Sequence, residues 1–138
     1  MQKNENTFKH NVLVIDPDHE FCKNVGMFLE DSFNVYIRDG LEYLDYTIIL
    51  DQIQLMLVNV DNADEAFLEE LTNIKQNHPD VKILFMYTLM PEKAEIRFKI
   101  KKLADASIAK PFDVELLKIK MDCLLKEIRS KKQPDFLQ

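Results

Sequence analysis

The chain has 138 residues, 46% of them hydrophobic and 30% charged, with a formal net charge of −6. That length fits one domain with a real core and leaves little room for a separate effector unit, while the acidic balance argues against nucleic-acid binding, which relies on a basic surface. No apolar run approaches membrane-spanning length and Met1 to His10 lacks the apolar centre of a signal peptide, so a cytoplasmic protein without membrane contact is expected.

In chain order, Val12, Leu13, Val14 and Ile15 form a short continuous apolar run that stops at Asp16, Pro17 and Asp18. A run of this kind reads as a strand buried on both faces. His19 to Asp31 places Phe21, Val25, Phe28 and Leu29 on one side of a helix, with Asp18 as its N-cap. Phe33, Val35 and Ile37 alternate with Asn34 and Tyr36, the pattern of a strand near a sheet edge, and Arg38, Asp39 and Gly40 make the turn after it. Leu41 to Leu50 carries Leu41, Leu44 and Ile48 at helical spacing, although its Thr47-Ile48-Ile49 stretch favours strand.

Leu55, Met56, Leu57 and Val58 form a second buried run, ended by Asn59 and the polar cluster Asp61, Asn62, Asp64 and Glu65. Ala63 to Asn77 follows as a helix with Phe67, Leu68, Leu71 and Ile74 on one stripe, closed by Pro79 and Asp80. Ile83 to Met86 is a third run, ending near Tyr87 and Thr88. Pro91 is expected to open a helix continued by Ile96, Ile100 and Leu103, since a missing amide hydrogen costs little in the first turn. Ala106 to Ala109 is a weaker strand before Lys110 and Pro111. Asp113 then caps a last helix with Leu117, Met121, Leu124, Leu125 and Ile128 facing the core. Residues 10–130 make the expected domain, with flexible tails at 1–9 and 131–138.

Strands alternating with helices imply an α/β fold: a parallel sheet covered on both faces, joined by right-handed crossovers. Ligand chemistry in such sheets gathers at the carboxyl ends of the strands. Asp16, Asp18, Asn59, Thr88 and Lys110 all fall there, so one rim collects residues spread along the chain. The chain has only Gly26 and Gly40, neither in a phosphate-binding loop, which weighs against a nucleotide binder or a small flavodoxin-like enzyme on this rim. Cys22 and Cys123 lack metal or redox spacing and read as reduced thiols. His10, His19 and His78 are dispersed near element ends. Lys99, Lys101 and Lys102 read as a solvated helix face, with partner docking as the alternative. Lys126, Arg129, Lys131 and Lys132 suit the C-terminal end of a helix dipole.

The series Val12-Leu13-Val14-Ile15-Asp16-Pro17-Asp18, Leu55-Met56-Leu57-Val58-Asn59 and Ser107-Ile108-Ala109-Lys110-Pro111-Phe112 resembles the receiver domain of two-component response regulators over residues 10–130. The resemblance implies a flavodoxin-like, doubly wound five-stranded sheet in the order 2-1-3-4-5. It also implies two adjacent acids after strand one, a phosphoaccepting aspartate after strand three, a Ser or Thr after strand four and a lysine after strand five. Asp16 and Lys110 match. Pro17 stands at the second acidic position, with Asp18 beside it, and Asn59 stands at the acceptor. For the hydroxyl, spacing back from Lys110 favours Thr88, whereas the strand core favours Tyr87. Ser107 occupies the position of the family's switch aromatic, and a Lys-Pro bond such as Lys110-Pro111 is usually cis there.

A neutral amide is a poor nucleophile for phosphorus, and a metal would have to be held by Asp16 and Asp18 alone, weakly or not at all. The expected function is therefore a degenerate, phosphorylation-independent receiver that is not an enzyme, needs no cofactor and acts by protein contact in phosphorelay signalling. Its partner would be a histidine kinase, an effector or a second copy bound through residues 91–128. A direct contact between Asp16 and Lys110 and a hydrogen bond from the Asn59 amide are expected to lock the rim. The alternative is a working phosphoacceptor at Asp61, with Mg²⁺ as cofactor.

Overall fold

The computed structural model describes residues 8–132. Most of the expected tails, and the side chains of Ile128, Arg129, Lys131 and Lys132, lie outside the described residues. The elements alternate as β1 (His10–Ile15), α1 (His19–Leu29), β2 (Phe33–Arg38), α2 (Leu44–Leu50), β3 (Leu55–Asn59), α3 (Glu65–Asn77), β4 (Lys82–Tyr87), α4 (Ala94–Leu103), β5 (Ala106–Ala109) and α5 (Val114–Lys132). All four strand pairings are parallel, in the order β2-β1-β3-β4-β5.

The continuous apolar runs follow from helices covering both faces. Leu13, Ile15, Met56, Val58, Ile83 and Phe85 point to one side and pack with Leu44 and Ile48 of α2, Leu68, Leu71 and Ile74 of α3, and Ile96 and Ile100 of α4. Val12, Val14, Leu55, Leu57, Leu84 and Met86 point to the other, against Cys22, Val25 and Leu29 of α1 and Leu117, Met121, Leu124 and Leu125 of α5. Successive strand residues face opposite sides, so no polar position interrupts a central strand. β2 is an edge, and beyond Phe33 its residues are half-buried or exposed.

Three helix starts differ from the sequence pattern. α4 opens at Ala94, not Pro91, because the Arg97 guanidinium folds back to donate to the carbonyls of Pro91 and Glu92 and keeps that stretch as a loop. α2 opens at Leu44, not Leu41. Leu41 to Tyr43 form a turn closed by the Leu44 amide on the Leu41 carbonyl, at 3.2 Å, and Tyr43 takes a left-handed conformation at φ 56° that breaks helical continuity. α3 opens at Glu65, not Ala63, because the Asp64 side chain accepts from the Phe67 amide and fixes the N-cap there.

Candidate functional site

The β1 end supplies Asp16, 1% exposed. Its Oδ1 accepts the amide of Asp18 at 2.9 Å and its Oδ2 meets Lys110 Nζ at 2.8 Å, a pair joining residues 94 positions apart. Lys110 is itself largely buried, with its ammonium 3.7 Å from the centroid of the Phe21 ring. The ring's negative face supports that charge where water is scarce. Pro17 is exposed and offers no carboxylate. Asp18 serves as the α1 N-cap, accepting from the Phe21 amide at 3.0 Å. Asp18 is therefore occupied at a helix start, and among the described residues no three His, Cys, Asp or Glu side chains converge as a metal-binding group.

The β3 end supplies Asn59, half-buried, and the loop beyond it turns on Asn59 and Asp61 together. The Asn59 carbonyl Oδ1 accepts the Asp61 amide at 3.0 Å, and the Asn59 amide donates to Asp61 Oδ2 at 3.3 Å. The expected Asn59 amide bond thus exists, and its acceptor is Asp61. The other Asp61 oxygen accepts the Thr88 amide at 2.6 Å and the Leu89 amide at 3.4 Å. Burial alone would raise the Asp61 pKa; the Thr88 and Leu89 amides, the Thr88 hydroxyl and the Asn59 amide outweigh it, and the carboxyl sits below its ordinary 3.8. Asp61 is a half-buried carboxylate that ties the β3 loop to the β4–α4 loop.

That geometry separates Thr88 from Tyr87. Thr88 lies just past β4 with its amide and hydroxyl on Asp61, whereas Tyr87 ends the strand, passes its carbonyl to the Lys110 amide at 2.7 Å and packs its ring against the α2–α3–α4 core. Ser107 on β5 sits opposite Phe85 and is half-buried. The Lys110-Pro111 peptide is cis. Beside Lys110, a cavity of about 450 Å³ is lined by Phe21, Val25, Thr88, Pro111 and Phe112, chiefly apolar.

Sequence patterning missed the Asp61 clamp, the Phe21 ring under Lys110 and the place of Cys22. The Cys22 thiol donates to the Asp16 carbonyl at 3.4 Å, and burial foremost, then Asp16 and Asp18, push its pKa up to about 11 against a small opposing effect of Lys110. Phe21 and Cys22 carried a sequence signal as members of the α1 inner side; the Asp61 contact, between loops 27 residues apart, carried none.

A five-stranded parallel sheet in the order 2-1-3-4-5 with helices on both faces is the CheY-like, flavodoxin-like fold. Among solved structures, the chain is similar to a CheY-like response regulator receiver domain protein from Methanospirillum hungatei, with 21% identity and a TM-score of 0.77 over 90% of this chain and 99% of that one. It is also similar to an orphan response regulator of H. pylori, with 21% identity and a TM-score of 0.68 over 84% of this chain and 96% of that one. A pilus assembly-related protein from Burkholderia pseudomallei is 15% identical, with a TM-score of 0.71 over 89% of this chain and 94% of that one. Identities this low establish the shared fold. No family model matches the chain, and no curated protein does.

Proposed function

We propose that this chain is a receiver-type signalling module that works by protein contact, without accepting a phosphoryl group. One observation carries the reading: both groups on the rim that could receive an anion already hold carboxylates of the chain itself. Lys110 is paired with Asp16, and the Thr88 and Leu89 amides are paired with Asp61. Between them stands Asn59, whose uncharged amide cannot act as the carboxylate nucleophile of phosphoryl transfer. Partner recognition then falls to the surface of residues 91–128, where Leu116 and Ile119 of α5 are exposed. The partner class is a signalling protein, a kinase or an effector.

Incubating the protein with a small phosphodonor and Mg²⁺ and reading intact mass tests this directly. The expected result is an unchanged mass for the wild type. Phosphoryl uptake that disappears in Asp61→Asn would overturn the proposal in favour of Asp61 as acceptor. An Asn59→Asp variant tests the cause: uptake by it traces the silence of the rim to the amide, and no uptake traces it to Pro17 and the missing acid beside Asp16.

A further inference from the structure

α2 is seven residues long yet displays Tyr46, Ile49 and Leu50 to solvent, with Tyr43 beside them; their exposures run from 63% to 77%. Clustered apolar exposure of this kind marks interaction surfaces on soluble proteins. Its backbone is also held under strain at both ends: Tyr43 and Gln52 are the positive-φ non-glycine residues among those described, and they bracket the helix. Carboxylates border the patch: Asp45 of α2, which also meets His78, and Glu70 across the cleft to α3, with Tyr43 and Tyr46 lining that cleft and Glu42 exposed next to Tyr43 in the chain.

The charge of this surface selects its occupant. Two copies meeting α2 to α2 would press Glu42, Asp45 and Glu70 against the same acids, which like-charge repulsion disfavours. The chain carries the complementary surface elsewhere. α4 exposes Phe98 at 62% with Lys99, Lys101 and Lys102 around it, and Lys102 Nζ lies 5.4 Å from the Phe98 ring centroid. Lys101 and Lys102 lie one turn beyond Phe98 and Glu95 one turn before it, so the cationic side of this aromatic is what matches an aromatic and aliphatic patch bordered by carboxylates.

The placement of the two surfaces fits as well. α2, α3 and α4 share one face of the sheet; α2 meets α3 through the 2.7 Å His78–Asp45 contact, and α4 meets α3 from the opposite side. α2 and α4 are therefore the two outer members of one helical layer.

We infer that the chain associates head to tail, the α2 patch of one copy seating on the Phe98–lysine face of α4 of the next. Because the two surfaces differ, each copy keeps one free face of each kind, and the assembly extends as a ring or an open chain instead of closing as a symmetric dimer. The inference is independent of the phosphorylation reading: phosphoryl uptake would leave it untouched, and a monomeric protein would leave that reading untouched.

Sedimentation equilibrium of the full chain over a range of concentrations, at low and high salt, tests it. The average mass is expected to climb past that of a dimer as concentration rises, and to fall with added salt. Tyr46→Glu on α2 and Phe98→Glu on α4, both at exposed positions, are each expected to weaken association by about tenfold or more. Mixing these two variants is expected to give a one-to-one heterodimer, since each retains the face the other lacks. Circular dichroism confirms that both variants fold. A wild type that stays monomeric at every concentration overturns the inference, as does growth that halts at a dimer sensitive to Tyr46→Glu alone, or a variant mixture that fails to pair.

Discussion

Asn59 at the end of β3 and Asp61 in the loop just beyond it hold each other through two hydrogen bonds yet face different neighbours. The amide at 59 is neutral and half-buried, so it brings no repulsion to the Asp16–Lys110 pair; the carboxylate at 61 is turned to the β4–α4 loop and held by hydrogen bonds from Thr88, Leu89 and Asn59. Because those bonds lower the folded-state pKa below 3.8, the stability they provide is fully present above that ordinary value. It is lost as pH falls through the lowered one. Asp61→Ala is accordingly expected to cost about 1–2 kcal/mol in urea unfolding at neutral pH. The gap between wild type and variant should narrow in acid below 3.8, and a gap that is constant with pH would show that the carboxylate charge does not hold the loop.

The helices differ in how far local chemistry specifies them. α1 and α3 begin at aspartates whose side chains bond the amide of the third residue on, and at the start of α5 Asp113 accepts the amide of the second, Glu115, at 2.9 Å, so their starts follow from short-range rules. α2 obeys a short-range rule with the wrong residue. Its end is a Schellman turn, with the Ile53 amide on the Ile48 carbonyl at 3.0 Å and the Gln52 amide on the Ile49 carbonyl at 3.4 Å, and Gln52 sits at φ 53° where glycine is usual. The buried pair Ile48 and Ile53 makes the apolar contact that holds the turn despite that side chain. Replacing Gln52 with Gly is expected to raise unfolding free energy by about 1 kcal/mol by removing the left-handed penalty of an L side chain. Thermal melts of the two proteins read the difference.

Across the whole molecule, the Asp16–Lys110 pair ties the β1 end to the β5 end, on opposite sides of β3 and β4 in the sheet order. Both side chains are largely buried, at 2% and 15% exposure, so removing one partner leaves the other's charge desolvated. Lys110→Met is expected to destabilise the domain by about 3 kcal/mol, and adding Asp16→Asn, which keeps the acceptor for the Asp18 amide but not the charge, should recover most of that loss. Equal destabilisation by the single and the double variant, measured by chemical denaturation, would show that the cost is packing and not an unpaired charge.

What the amino-acid order determined alone was everything encoded by short-range periodicity. Val12–Ile15, Leu55–Val58 and Ile83–Met86 are continuous apolar runs because helices cover both faces of their sheet, and that gave the layers, the strand ends and hence the rim holding Asp16, Asn59, Thr88 and Lys110. Tertiary structure decided the direction of individual polar groups: that Asp61 reaches Thr88 and Leu89, that Arg97 holds Pro91 out of α4, and that Phe21 underlies Lys110. The reason is physical. Burial follows patterns repeated every two or four residues, whereas the aim of a carboxylate or ammonium depends on which distant loop folding brings within about 3 Å of it.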